Sequence, residues 1–347
     1  GTGRATPASL TSRDVTSLRE DTNGGLWAGT TEGLAHLDRG AFEFEHFRND
    51  PIDPTSLSDN HVTCVFESRA KVIWVGTESG SASRFGLNRS WFPQYRSNPD
   101  VDRSLRLPHD SIWSMAPAEK GELWIGTESG LTRWNPEKET YVTPDLGVAL
   151  GTPYVSAMVK ARDGTVWAGT KGDGLIAMPD GDAGRAIQHR HQAEDPQSIG
   201  HDFVSAIFED SRSGLWFGTH GAGLWRLGES GRDFVAVPVM EENDSEVAPD
   251  TGAGVARFIA AIAEDQAGRV CVAASDGLYV VGADGSELLP YHQSDEAASS
   301  AGSFSRESFS SLLRASDGAL FAGTRSSGLR RIDPASGTVQ VIRRSNS

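Results

Sequence analysis

Cysteine is almost absent from this chain of 347 residues, with only Cys64 and Cys271 present. That excludes a small scaffold held by disulfides. Both cysteines fall in apolar, strand-like runs of different segments, so they read as small buried side chains rather than as a bridge. Long apolar runs are missing as well. Even Phe258 to Ala263 ends at Glu264-Asp265, far short of the roughly 18 residues that span a bilayer, so no membrane contact is expected within the chain. No secretory leader opens the sequence, and its start at Gly1 without a methionine points to a processed or excised fragment. Cations are scarce: 32 Lys+Arg stand against 47 Asp+Glu, a formal charge of -15. Such a surface repels DNA and RNA, whose binding requires clustered cations, so nucleic acid is not an expected partner.

Glycine and tryptophan, by contrast, are plentiful, at 39 and 9 residues, and they recur in register. Leu26-Trp27-Ala28-Gly29-Thr30 returns as Ile73 to Thr77, Leu123 to Thr127, Val166 to Thr170 and Leu215 to Thr219. A degenerate sixth copy is Val270-Cys271-Val272-Ala273-Ala274, and the seventh is Leu320-Phe321-Ala322-Gly323-Thr324. The period, roughly 49 residues, is close to that of four-stranded propeller blades. Each copy is preceded by an apolar strand and a polar turn. It is followed by a Gly-containing return, a third strand and a more polar fourth, the order of an antiparallel meander.

The Trp strand is apolar on both faces, which suits a sheet covered on both sides by neighbouring sheets. The recurrent glycine is expected to leave room for a large side chain of the adjacent blade. The fold expected is therefore all-β: a single seven-bladed β-propeller of four-stranded antiparallel blades over residues 1–347. The blades fall at approximately 12–48, 60–96, 110–146, 153–190, 202–240, 257–292 and 307–344. In this phase no strand is left to interlock the termini. The alternative phase pairs residues before Ser12 with the last blade.

The pattern resembles the two-component regulator propeller repeat, which runs from a Ser-Leu loop through a strand and turn to Leu-Trp-x-Gly-Thr and Gly-Leu. The connectors Asn49-Asp50-Pro51 to Val62, Asn98-Pro99-Asp100 to Ser104-Leu105, and Glu194-Asp195-Pro196 to Ile199 match as well. The resemblance covers nearly the whole chain and is weakest in the sixth repeat. It implies a periplasmic sensing domain of a membrane-bound receptor with a histidine kinase or diguanylate cyclase output. It also implies a signalling homodimer, no cofactor, and no enzymatic activity in this segment.

Propellers bind ligands at the mouth of the central channel, on loops that precede the inner strands and loops that join the second and third strands. Aligning the repeats places Arg13, His61, Asp110, Tyr154, Asp202, Phe203, Arg257, Phe258 and Glu307 in the first set. The second set holds Glu32, Glu78, Glu128, Lys171, Asp173, His220, Asp276 and Arg325. Aromatic faces beside carboxylates and cations suit a small-molecule or oligosaccharide ligand, through stacking and paired hydrogen bonds. Other motifs offer less. His189-Arg190-His191 supplies two imidazoles, too few for a metal. The runs Gly169 to Gly174 and Gly218 to Gly223 lack the Lys-Ser/Thr of a phosphate loop and read as return turns. Two other readings stand beside the sensor. One is a virginiamycin B lyase-like metal-dependent enzyme, for which His61, His201 and His220 are the candidate bases. The other is a propeller that binds a partner protein.

Overall fold

The computed structural model describes residues 9–10, 12–41, 43–86, 94–147, 154–239, 258–291, 304, 307–333 and 338–343. They form seven four-stranded antiparallel sheets, each built from four consecutive strands of the chain. Blade 5 is representative: Val204–Glu209 lines the channel, Leu215–Thr219 is the Trp strand, and Leu224–Leu227 and Phe234–Val237 complete the sheet. The other inner strands are Val15–Glu20, Val62–Glu67, Ile112–Pro117, Val155–Lys160, Ile259–Glu264 and Phe309–Arg314. The seven-bladed fold read from the repeat is the fold observed.

The core lies between blades rather than within them. All five residues of the Trp strand are buried in blades 1, 3, 4, 5, 6 and 7. The recurrent glycine does admit the neighbour. A Cβ on Gly29 would lie 2.6 Å from Val62 Cγ1, one on Gly218 2.5 Å from Ile259 Cγ2, and one on Gly323 2.8 Å from Val15 Cγ1. In each case the intruding residue opens the inner strand of the next blade, and Val15 carries the contact across the junction of blades 7 and 1.

Hydrogen bonds clasp the ring at two levels. Every inner strand carries a register shift that leaves its second residue unpaired in the ladder, and such a bulge re-aims the side chain. In five blades that residue is a hydroxyl donating to a carbonyl of the next inner strand. Thr16 donates to Val62 (2.6 Å), Ser156 to Val204 (2.5 Å) and Ser205 to Ile259 (2.5 Å); Thr63 donates to Ile112 and Ser310 to Val15. Blades 3 and 6 have Trp113 and Ala260 there instead. At the opposite end of the strands a second set crosses the blade junctions. Glu20 accepts from Ser316, Glu67 from Thr22, Glu209 from Arg162 and Glu264 from Ser211. Lys160 reverses the polarity by donating to Glu119, and Arg314 donates to the Asp265 carbonyl (3.0 Å).

A buried apolar residue of the connector seals each of five junctions: Leu10, Leu57, Leu107, Ile199 and Phe304. In the second connector that residue is Leu107 and not Leu105, because a 3-10 turn at Arg103–Leu105 leaves Leu105 55% exposed. Leu10 closes the ring. It packs with Phe321, Leu329 and Ile342 of blade 7, and its N–H donates to the Arg343 carbonyl at 3.4 Å. The four strands of blade 7 nevertheless all come from one end of the chain, so among the described residues no strand is exchanged.

Both cysteines are free thiols. Burial raises the Cys64 thiol to about 12 and pushes Cys271 up as well, so neither is an accessible thiolate at neutral pH.

Candidate ligand site at the channel mouth

One backbone hydrogen bond repeats seven times at the face where the inner strands begin. The residue after each Trp strand donates to the residue just before or at the start of the inner strand. The pairs are Thr31 to Asp14, Glu78 to His61, Glu128 to Ser111, Lys171 to Tyr154, His220 to Phe203, Ser275 to Phe258 and Arg325 to Ser308, all at 3.0–3.3 Å. This register brings both sets of loops to one rim. Glu32 and Asp276 lie one residue beyond the pairing positions, which Thr31 and Ser275 hold.

Along the rim the side chains form a continuous arc from blade 3 to blade 7. Trp113 packs on Tyr154 with ring centroids 5.2 Å apart. Lys171 Nζ lies 5.0 Å from the Tyr154 ring and 5.9 Å from that of Phe203. Phe203 stacks on His220 at 4.9 Å with planes 4° apart, and His220 meets Phe258 at 5.0 Å. The Arg325 guanidinium then sits 5.5 Å from the Phe258 ring. Two isolated bridges, Lys171 to Phe203 and His220 to Phe258, tie neighbouring blades together beneath these side chains.

The remaining sector, over blades 1 to 3, is acidic. Glu78 Oε2 is 2.5 Å from His61 Nδ1, and Glu128 is 4.0 Å from His109 Nδ1. Burial raises the Asp14 carboxyl above its ordinary value, against the opposing charges of Arg325 and His61. Tyr154 is likewise raised, by burial and by the charges of Glu128 and Glu78. The rim therefore sets aromatic faces and two cations beside carboxylates, around the opening of the channel.

Of the residues singled out from the repeat alignment, Tyr154, Lys171, Phe203, His220, Phe258 and Arg325 are gathered into the arc, and His61 lies in the acidic sector. Asp110, Asp202 and Glu307 are not. Asp110 accepts from the Ser97 N–H (2.6 Å). Asp202 accepts from the His191 N–H (2.7 Å) and from Arg190 Nη2 (2.9 Å). Glu307 pairs with the buried Arg330 at 2.7 Å. Asn60 fills the same structural role, accepting from the Asn49 N–H (2.8 Å), so this position anchors the incoming connector. Arg13 is exposed and its carbonyl accepts from Gly328. Asp173 is buried on the return turn beside Arg190, which lies 3.8 Å away. Arg257 lies outside the described residues. The alignment missed Trp113, whose signal was available as an indole at a position held by Ser or Thr in five other blades.

The histidines proposed for a lyase-like centre do not converge. His61 belongs to blade 2 and pairs with Glu78, His220 lies between Phe203 and Phe258, and His201 Nδ1 accepts from the Phe203 N–H (2.9 Å). Among the described residues no group of three or more His, Cys, Asp or Glu side chains is placed to hold a metal. His189 and His191 part company as well. The first stacks on Trp167 (5.8 Å), and the second meets the Ile199 carbonyl (3.0 Å).

A closed ring of seven repeat-built blades, with an aromatic and charged rim at one face, defines a β-propeller domain. Two-component regulator propeller repeats are matched at residues 9–32, 56–79, 106–129 and 198–221. The chain thus carries two-component regulator propeller repeats in blades 1, 2, 3 and 5. It is 25% identical over 214 residues to a histidine kinase, P4, of Formosa agariphila, covering 60% of this chain and 15% of that protein. In fold it is similar to the extracellular domain of a hybrid two-component system of B. thetaiotaomicron, with TM-score 0.74 and 19% identity over 94% of this chain and 41% of that one. It is also similar to virginiamycin B lyase of Staphylococcus aureus, with TM-score 0.66 and 11% identity over 94% and 97% of the respective chains. The chain thus spans less than half of the signalling proteins it resembles. No described helix is long and apolar enough to cross a membrane.

Proposed function

We propose that this chain is the periplasmic input domain of a membrane-bound two-component receptor, binding a sugar or another polar metabolite at the channel mouth. The arc from Trp113 to Arg325 carries the reading. Five aromatic or imidazole rings and two cations line one side of an opening, on loops held by the repeated backbone bonds. Rings of this kind take the apolar faces of a sugar, while Arg325, Lys171 and the adjoining carboxylates supply directional hydrogen bonds. Signalling would follow from a ligand affinity that differs between two arrangements of a receptor homodimer.

The test is a thermal-shift screen of the purified chain against oligosaccharides and small polar metabolites. A ligand specific for the native state stabilises it by mass action, by about 2.7 kcal/mol at a hundredfold excess over Kd. The shift should vanish in Tyr154→Ala and in Arg325→Ala while the unliganded melts stay close to that of the parent. A broad panel that moves the midpoint of neither parent nor variants would count against a small-ligand sensor.

A further inference from the structure

Six of the seven blade junctions carry the clasp at the ends of the inner strands, on the face away from the mouth. The junction of blades 2 and 3 has Arg69 and Pro117 at the clasping positions, and the proline side chain carries no group that can bond across. A cavity of about 220 Å3 lies at this junction. Its walls are apolar: Phe66, Trp74, Leu123 and Trp134, with the two indoles 4.7 Å apart and steeply inclined at 66°. Trp134 is 3% exposed, and its indole N–H has no hydrogen-bond partner. Buried donors of this kind are normally satisfied.

Arg69 and Arg84 stand on the lining, and neither has an ion pair among the described residues. The acids nearby are engaged elsewhere. Glu122 receives Arg133 Nε (3.1 Å) and Asn135 Nδ2 (2.7 Å), and Glu119, close enough for its charge to reach Arg69, is held by Lys160 of blade 4. A partly open, mainly apolar slot with an unpartnered indole N–H and two guanidinium groups that make no ion pair complements a flat ring bearing an anion. We infer that the cleft between blades 2 and 3 is a second ligand site, separate from the mouth, that takes a small aromatic carboxylate. The carboxylate meets Arg69 and Arg84, and the ring lies against Trp74 and Trp134. The volume admits one or two fused rings and is too small for a saccharide chain.

The inference is tested by calorimetric titration of the whole chain with indole-3-acetate and phenylacetate, with uncharged indole as the control. Saturable binding of the two acids is expected, weakened at least tenfold in the double variant Arg69→Gln/Arg84→Gln, with indole affected less than twofold. Ala118→Leu, which fills the lined space from the blade 3 turn, should remove binding of all three. Phe203→Ala at the mouth should leave it unchanged, which separates this site from the proposed sensor site. Absence of saturable binding by either acid, binding indifferent to the arginine substitutions, or binding lost in Phe203→Ala would overturn the inference.

Discussion

His220 lies flat on Phe203, ring centroids 4.9 Å apart and planes within 4°, while its backbone N–H donates to the Phe203 carbonyl at 3.0 Å. The two residues come from different loops of one blade, and each also touches a neighbouring blade, Phe203 through Lys171 and His220 through Phe258. Aromatic pairs of this geometry add about 0.5–1.5 kcal/mol beyond burial. A double-mutant cycle of Phe203→Ala and His220→Ala in urea should return a coupling in that range. A coupling near zero would mean that the rings are merely adjacent and that the arc is not preorganised.

Ring closure makes a separate demand on Leu10. Its side chain occupies at the junction of blades 7 and 1 the place that Leu57, Leu107 and Ile199 occupy at later junctions. Leu10→Ala should destabilise the whole domain by about 2–5 kcal/mol, as a fully buried Leu→Ala does. Leu57→Ala should cost a similar amount. If equilibrium denaturation showed Leu10→Ala to be neutral, closure would rest on the packing of Val15 and on the Ser310–Val15, Ser316–Glu20 and Gly328–Arg13 hydrogen bonds.

Much of this architecture was legible because seven copies of one short strand repeat in register, and the glycine in six of them announces a close neighbour. The rim residues Tyr154, Lys171, Phe203, His220, Phe258 and Arg325 followed from aligning the copies, since the ladder fixes which loop residues meet. Trp113 did not follow, because a bulge and not the strand alternation aims it. Nor did the fate of Asp110 and Asp202, since an isolated sequence does not tell a carboxylate offered to a ligand from one accepting a connector N–H. Leu107 was hidden by the extra turn at Arg103–Leu105, which displaces the sealing residue by two positions from the Ser-Leu pair.

The tryptophans of the repeat are not equivalent. Trp27 and Trp216 donate their indole N–H to Asp21 (3.0 Å) and Asp210 (2.8 Å), whereas blade 4 has Ala161 at the acid position and Trp167 Nε1 has no partner. Blade 6 keeps the acid, Asp265, but replaces Trp with Cys271, and the Arg269 guanidinium takes the carboxylate at 2.7 Å. Trp167→Ala should cost about 3–5 kcal/mol through the cavity it leaves. Trp167→Phe should cost distinctly less than Trp27→Phe, since only the latter breaks a buried hydrogen bond to a carboxylate, worth about 1.5–3 kcal/mol. Equal losses for the two Trp→Phe variants in denaturant melts would refute a stabilising role for the Asp21 bond.

The acid side of the stability profile tests Asp21 and Asp14 against each other. Burial acts to raise the Asp21 carboxyl, but the N–H groups of Gly25 and Asn23, the Trp27 indole and the His36 ring together outweigh it and leave it below its ordinary value. A folded-state pKa below the unfolded one adds stability that is present above the unfolded value, about 3.9, and lost as pH falls through the folded value. Asp21→Asn should therefore be less stable than the parent at pH 7, and the gap should narrow as the pH falls below about 4. Asp14 has the opposite sign. Its raised pKa means that the folded state holds the proton more tightly, so this carboxylate opposes folding once the pH exceeds its folded value. Asp14→Asn should stabilise the domain at pH 7 and match the parent in acid. Urea midpoints for the parent and both variants between pH 3 and pH 7 decide the matter, because the two gaps must close from opposite sides as the pH is lowered.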